Sequence, residues 1–284
     1  VYFYGSLYFK AKAEEKRPIG ALLSIFAVVI LFWGVFKLNG SALTTWADRY
    51  TDRQVTGTTE KVFKKLVQSK ELKYSKDSTE LYDSSFRLQK ENGEVKKVVD
   101  YPVYFRNSAK ETLPQEGETI SVWATSISQS INPGWVIILT PLIVAFFTFL
   151  RSRKKEPTTP TKIAFGLLIS ALSVLVMVAA VHIGNNGTEK VSVWWLVANY
   201  GIITIGELFL SPMGLSIVSK LSPKNITALM MGGWFLSTSI GNKLSGVLAS
   251  MWDTYDDKAN FFWVNFGLLM FATVLMFALV KNLN

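Results

Sequence analysis

Trp194–Lys220 reads WWLVANYGIITIGELFLSPMGLSIVSK. Two tryptophans at one end form an interfacial aromatic belt, and a lysine at the other end is an anchor. Between them lie apolar residues and a single charge, Glu207. It stands about thirteen residues from each end, so roughly 20 Å of helix lies on either side at ~1.5 Å per residue. A carboxylate is thereby expected near the middle of a membrane. Such residues are rare in spans and mark substrate, ion or proton pathways.

Magnitudes make Glu207 a candidate proton carrier. A charge at a helix centre costs about 2.5–3.5 kcal/mol on insertion scales. Holding a Glu neutral at pH 7, against a reference pKa near 4.3, costs roughly 3.7 kcal/mol. The two costs are alike, so a neighbouring charge can choose the state. The plainer alternative is a Glu turned into the bundle and satisfied by one hydrogen bond. Ser211 lies four residues on, on the same helix face. Pro212 follows, flanked by Gly206 and Gly214. It bends the helix, either as a packing kink or as a gating hinge.

The first span is expected over residues 18–45, opening at Pro18 after a cytoplasmic linker, residues 1–17, whose stretch Lys10–Arg17 is charged. Val1–Phe9 is apolar and aromatic but too short to cross. The later part of the first span, FWGVFKLNGSALTTW, is polar on one side, with Lys37, Asn39, Ser41, Thr44 and Thr45. Residues 46–118 are soluble in character. Thr59–Leu72 has helical spacing. Ser85–Gln89 and Val95–Phe105 alternate like strands around Asn92-Gly93, a hairpin signal. A helix-plus-hairpin insert outside the membrane is expected, with no site motif.

The rest, 119–284, holds five further spans. The second, Thr119–Leu150, starts amphipathic and turns apolar after Pro133. Asn132-Pro133 and Pro141 should break its regularity, which would let Asn132 face a cavity. The third, Ile163–Ile183, ends at an interfacial His182. Along the fifth, Ile226–Met251, the small residues Gly233, Ser237, Gly241, Ser245 and Ala249 recur every four positions, which lets helices approach closely. The sixth is Phe261–Val280.

The chain has no cysteine, hence no disulfide or thiolate metal site. Its net charge of +9 sits mostly beside the spans and reads as topology, not nucleic-acid binding. The basic short loops place both ends in the cytoplasm and the insert outside. The absence of H-E-x-x-H, G-x-S-x-G and P-loop motifs argues against an enzyme. With no Met at position 1, the sequence reads as a piece of a longer protein.

GELFLSPMGLSIVSKLSP and MGGWFLSTSIGNKLSG resemble the tenth and eleventh helices of the proton-dependent oligopeptide transporter family. FWGVFKLNGSAL resembles its seventh helix and SINPGWVIILTPL its eighth. The resemblance is ordered over all six spans. It implies an all-α membrane protein, the C-terminal six-helix half of a major facilitator fold, with three-helix repeats and a site near the midplane. It also implies proton-coupled import of di- and tripeptides across the cytoplasmic (inner) membrane of a bacterium. The partners are then a short peptide, protons, membrane lipid and an N-terminal six-helix half, and no cofactor beyond the proton gradient is expected. By position, Glu207 matches the family's acid near the peptide amino end and Ser211 the hydroxyl one turn on. Asn132 matches the asparagine that hydrogen-bonds peptide, and Trp234 the tryptophan that walls a side-chain pocket.

Lys37 departs from the pattern, because relatives often carry a proton-coupling acid there. Two readings of it stand: an ammonium snorkelling to the headgroups, or a cation pairing with Glu207 until a peptide amino group replaces it. The long insert is also unusual for the family. The alternative functions are a transporter of the same fold for nitrate or a conjugated metabolite, and a non-transporting scaffold or sensor.

Overall fold

The computed structural model describes residues 5–6, 8–9, 11–55, 69–84 and 86–283. Most of the expected segment Val1–Phe9, the expected helix over 59–68 and Ser85 lie outside the described residues.

Among the described residues, six long helices form the bundle. The first, α1 (Ala13–Phe36), opens five residues before Pro18, with Glu14 and Glu15 in its first turn and Glu15 reaching back to the Lys12 amide. Pro18 is therefore inside the helix, a correction to its expected place at the start. Leu22, Ile25, Val29 and Phe32 recur at helical spacing and are fully buried. The helix then breaks. Lys37–Gly40 is a single 3₁₀ turn, and α2 (Ala42–Arg49) resumes beyond Ser41, whose backbone is non-helical. Asn39-Gly40 is a poor helix former, and the Asn39 carbonyl freed there takes the Thr44 hydroxyl at 2.9 Å and the Tyr200 hydroxyl at 3.2 Å.

After the insert come α3 (Ser128–Ser152), α4 (Thr159–Ile183), α5 (Trp194–Leu221), α6 (Thr227–Ser250) and α7 (Lys258–Leu283). Pro133 and Pro141 do not interrupt α3; each removes one ladder bond and the helix runs on, as membrane helices tolerate. Among the described residues, five segments are long and apolar enough to cross a membrane: Ala13–Arg49, Thr125–Ser152, Thr159–Ile183, Trp194–Leu221 and Lys258–Lys281. The sixth long helix, α6, is more polar. Its hydroxyls turn back onto their own helix, Ser237 to Gly233, Thr238 to Trp234 and Ser239 to Phe235.

Small residues set two close seams. A Cβ at Gly206 in α5 would overlap the Ser170 hydroxyl and the Gly166 carbonyl of α4. One at Gly241 in α6 would overlap Trp33 and meet the backbone of Ile30 and Gly34 in α1. Four members of the four-residue stripe, Gly233, Ser237, Gly241 and Ser245, are buried along α6.

The insert holds more strand than its sequence suggested. The stretch Thr119–Trp123, expected to begin a span, is strand β7 and pairs antiparallel with β2, Ser69–Lys73. Both Ile120 and Val122 turn inward onto Tyr104 and Phe105, so the period is two, not 3.6. This also overturns the helix expected over residues 69–72. Strand β3 (Asp77–Glu80) pairs with β6 (Lys97–Asp100), and the hairpin of β4 (Lys90–Glu91) and β5 (Glu94–Val95) turns at Asn92-Gly93. Both turn residues have positive φ, 52° and 87°, as a type I′ turn requires.

The insert grips one end of the bundle. The Asn107 amide donates to the carbonyls of Arg49 (2.8 Å) and Gly187 (3.1 Å). Arg87 pairs with Asp256 in the loop before α7. Strand β1 (Thr51–Asp52) lies parallel to β8 (Val191–Ser192) in the turn before α5. Beneath it Trp46, Tyr50, Trp252 and Phe262 form an aromatic plug.

Candidate functional site: a carboxylate between α3 and α5

The first turns of α3 lie against the insert-side half of α5. Trp135 makes that contact. Its ring lies on Gly201, where a Cβ would meet it at 3.1 Å, and its indole N–H donates to the Val197 carbonyl at 3.0 Å. Asn132, one turn earlier on α3, then faces Thr204 and Glu207. Its Nδ2 donates to Thr204 Oγ1 at 2.8 Å and to Glu207 Oε2 at 3.2 Å. The Thr204 hydroxyl in turn donates to the Tyr200 carbonyl at 2.6 Å. Tyr200 is fully buried and reaches the Asn39 carbonyl at the break after α1. A chain of polar contacts thus runs from Glu207 to the first span.

Among the residues expected in the site, the structure brings Asn132 and Glu207 together. Lys37 lies in the 3₁₀ turn, its ammonium 5.4 Å from the Trp33 ring centroid and 5.8 Å from that of Phe36. It is within electrostatic reach of Glu207 but forms no direct ion pair with it among the described residues. Ser211 is half-buried and does not bond the carboxylate. Trp234 is 2% exposed, wedged onto Gly214 with its ring edge-on to Phe26. In this chain it sits in the seam of α1, α5 and α6.

Thr204, Tyr200 and Trp135 are not among the residues expected from the sequence. Two of them carried a signal. Thr204 precedes Glu207 by three residues and Tyr200 precedes Thr204 by four, so all three share one face of α5. The same spacing on the C-terminal side of Glu207 leads to Ser211. Trp135 carried no such mark, because an aromatic three residues past Asn132 reads as core or lipid anchor.

The arrangement supplies an acid, an amide and a hydroxyl in an otherwise apolar wall. Asn132 Oδ1 has no partner among the described residues. Such a set can accept an ammonium or a proton at Glu207 and a hydrogen bond at Asn132. No group of three or more His, Cys, Asp or Glu that could hold a metal occurs among the described residues.

The sequence model of the POT family, PTR2, matches residues 113–264, which run from the end of the insert through α3, the site and α6. This chain belongs to the POT family. Its relatives include dipeptide and tripeptide permease A of Proteus mirabilis, 35% identical over 132 residues, 46% of this chain and 26% of that protein. Peptide transporter YePEPT of Yersinia enterocolitica is 34% identical over 145 residues, 51% of this chain and 28% of that protein. The matched region thus spans little more than a quarter of these curated relatives.

POT-family structures share the fold of the whole chain. Peptide transporter POT in complex with sulfate superposes with a TM-score of 0.67 at 24% identity, covering 99% of this chain and 44% of that one. A POT family transporter in complex with 5-aminolevulinic acid gives 0.62 at 21%, covering 98% and 44%. This POT chain is therefore a multi-pass membrane protein with the fold of these POT-family structures.

Proposed function

We propose that this chain is the C-terminal half of a symporter that imports di- and tripeptides with protons across the bacterial inner membrane. All six long helices span, both ends of the chain are cytoplasmic, and the insert stands outside. The observation that carries the reading is Glu207 held by Asn132 on the wall of a POT-family bundle. Several curated relatives bear the name of dipeptide and tripeptide permeases, and the chain covers 44% of a solved peptide transporter. A further six-helix half would supply the opposite wall and the cations for the peptide carboxylate. No cofactor is needed beyond the proton gradient.

Glu207 receives the peptide ammonium or the proton, and Asn132 offers its free Oδ1 to the peptide backbone. Lys37 supplies the nearby positive charge that the ammonium replaces. Ser211 and Trp234 take part once the helices move to open the seam around Gly214. A neighbouring transporter was solved with 5-aminolevulinic acid, so other small amino compounds belong in the same assay.

The test is uptake in proteoliposomes by the full-length protein. Glu207→Gln is expected to abolish accumulation against a gradient while labelled peptide still exchanges across the membrane. Normal proton-driven accumulation by that variant refutes the coupling role. Uptake of no peptide by the wild type refutes the substrate.

A further inference from the structure

The hydrogen-bond inventory around Asn132 assigns a task to Thr204. A primary amide has two N–H donors on one side and a carbonyl acceptor on the other. Both Asn132 N–H groups are spent, one on Thr204 Oγ1 at 2.8 Å and one on Glu207 Oε2 at 3.2 Å. Thr204 has one proton, and it is committed to the Tyr200 carbonyl at 2.6 Å. Facing Asn132, the threonine is therefore an acceptor only. Turning the amide over would set Oδ1 against a hydroxyl lone pair, unless Thr204 gave up its 2.6 Å bond.

Glu207 alone cannot fix the amide through a transport cycle. As a carboxylate it demands the N–H edge of Asn132, but once protonated it can donate to Oδ1 as readily as accept from Nδ2. Thr204 does not titrate, and its residue is fully buried. We propose that Thr204 is a positioning residue: it holds the Asn132 amide in one orientation whatever the protonation of Glu207, so that Oδ1 always faces the ligand. The chemical class recognised is an N–H donor of a peptide backbone. This rests on the peptide-transport reading above.

Val matches Thr in shape but cannot accept a hydrogen bond. In the full-length transporter, Thr204→Val is expected to raise KM for a dipeptide roughly fivefold, the worth of about one hydrogen bond, with kcat within twofold. Thr204→Ser should restore KM, since serine keeps the hydroxyl. In an Asn132→Ala background, Thr204→Val should add nothing, because the group it positions is gone. An unchanged KM in Thr204→Val overturns the proposal. So does a raised KM that serine does not restore, or one that persists in the Asn132→Ala background. A wild type that accumulates no peptide removes the transport reading instead, and the proposal falls with it.

Discussion

Helices α3 and α4 have the same length, 25 residues each, and both pass as membrane spans by composition. Their surroundings are opposite. In the most apolar stretch of α4, 61% of residues are buried within this chain, against 6% for α3. The α4 helix is clasped on two sides, by α5 through Gly166, Ser170 and Gly206, and by α7. By contrast, α3 leans on α5 through Trp135, Asn132 and the Phe147–Phe209 contact, whose centroids are 4.8 Å apart. Ile137, Ile138 and Leu142 stand more than half exposed. One helix is scaffold. The other is attached at two places, one of which, Trp135 with Asn132, carries the candidate site.

The largest effect should come from the tight seam. Gly206→Leu would push a side chain into the Ser170 hydroxyl and the Gly166 backbone, neither of which can yield. Overpacking of this kind costs about 3 kcal/mol or more. Expression of folded, monodisperse protein in detergent should collapse. If the variant purifies with a normal melting temperature, the α4–α5 seam is looser than its geometry requires and the contrast with α3 fails.

Next is the insert's hold on the end of α4 and the turn that follows. Lys190 lies there with its ammonium 2.8 Å from the Tyr104 ring centroid and without a hydrogen bond. Burial pushes its pKa down to about 6, against the pull of Asp52 and Asp48 and with the help of Arg53. Its unfolded value is near 10.4. Between about pH 6 and 10.4 the unfolded chain binds a proton that the folded one does not, so stability rises with pH there. Below about 6 both states are protonated, and the burial penalty is full and constant. Lys190→Met should raise stability at pH 7 by roughly 1–3 kcal/mol, the cost of an unsatisfied buried group, and flatten the melting temperature between pH 6 and 10. A variant that melts lower than wild type at pH 7 would mean that the cation–π contact outweighs burial.

How much of this was legible in the sequence follows the same division. Scaffold was readable, because its signals are local: apolar runs for α4 and α7, the four-residue stripe for α6, and Asn92-Gly93 for a hairpin. Glu207 was readable because it is the one charge between Lys190 and Lys220. The break at Asn39-Gly40 was not, since its polar residues suggested only a wet face, and the carbonyl it frees finds its partner, Tyr200, 161 positions away. Nor was β7, whose partner strand is distant in sequence. TISVW fits either period until Ser69–Lys73 lies beside it.

Trp135→Phe tests the anchor of α3 itself. The ring still covers Gly201, but the bond to the Val197 carbonyl is lost, at about 1 kcal/mol. Global melting should move little, since α4 and α5 carry the fold. Peptide KM should rise by about the corresponding factor, roughly fivefold, because Asn132 is carried on the same turn. Equal losses of stability and affinity would make α3 a structural helix like any other.

The smallest effect lies where α3 and α4 are joined. Glu156, in the loop between them, accepts from Arg151 at the end of α3 at 2.6 Å and from the buried Lys162 of α4. These bonds, chiefly that of Arg151, hold the Glu156 carboxyl down at about 2, against an unperturbed value near 4.3. A depressed carboxylate contributes stability that is complete above about pH 4.3 and is lost as pH falls through the folded value near 2. The joint should therefore be indifferent to every pH at which a transporter of this kind works. Glu156→Gln should lower melting slightly and equally from pH 5 to 8. Below pH 4 the gap to wild type should narrow, because acid removes from wild type what the substitution has already removed. A gap that instead opens between pH 5 and 7 would mean that Glu156 titrates in the working range, and that α3 is tied to α4 by a switch and not by a fixed strut.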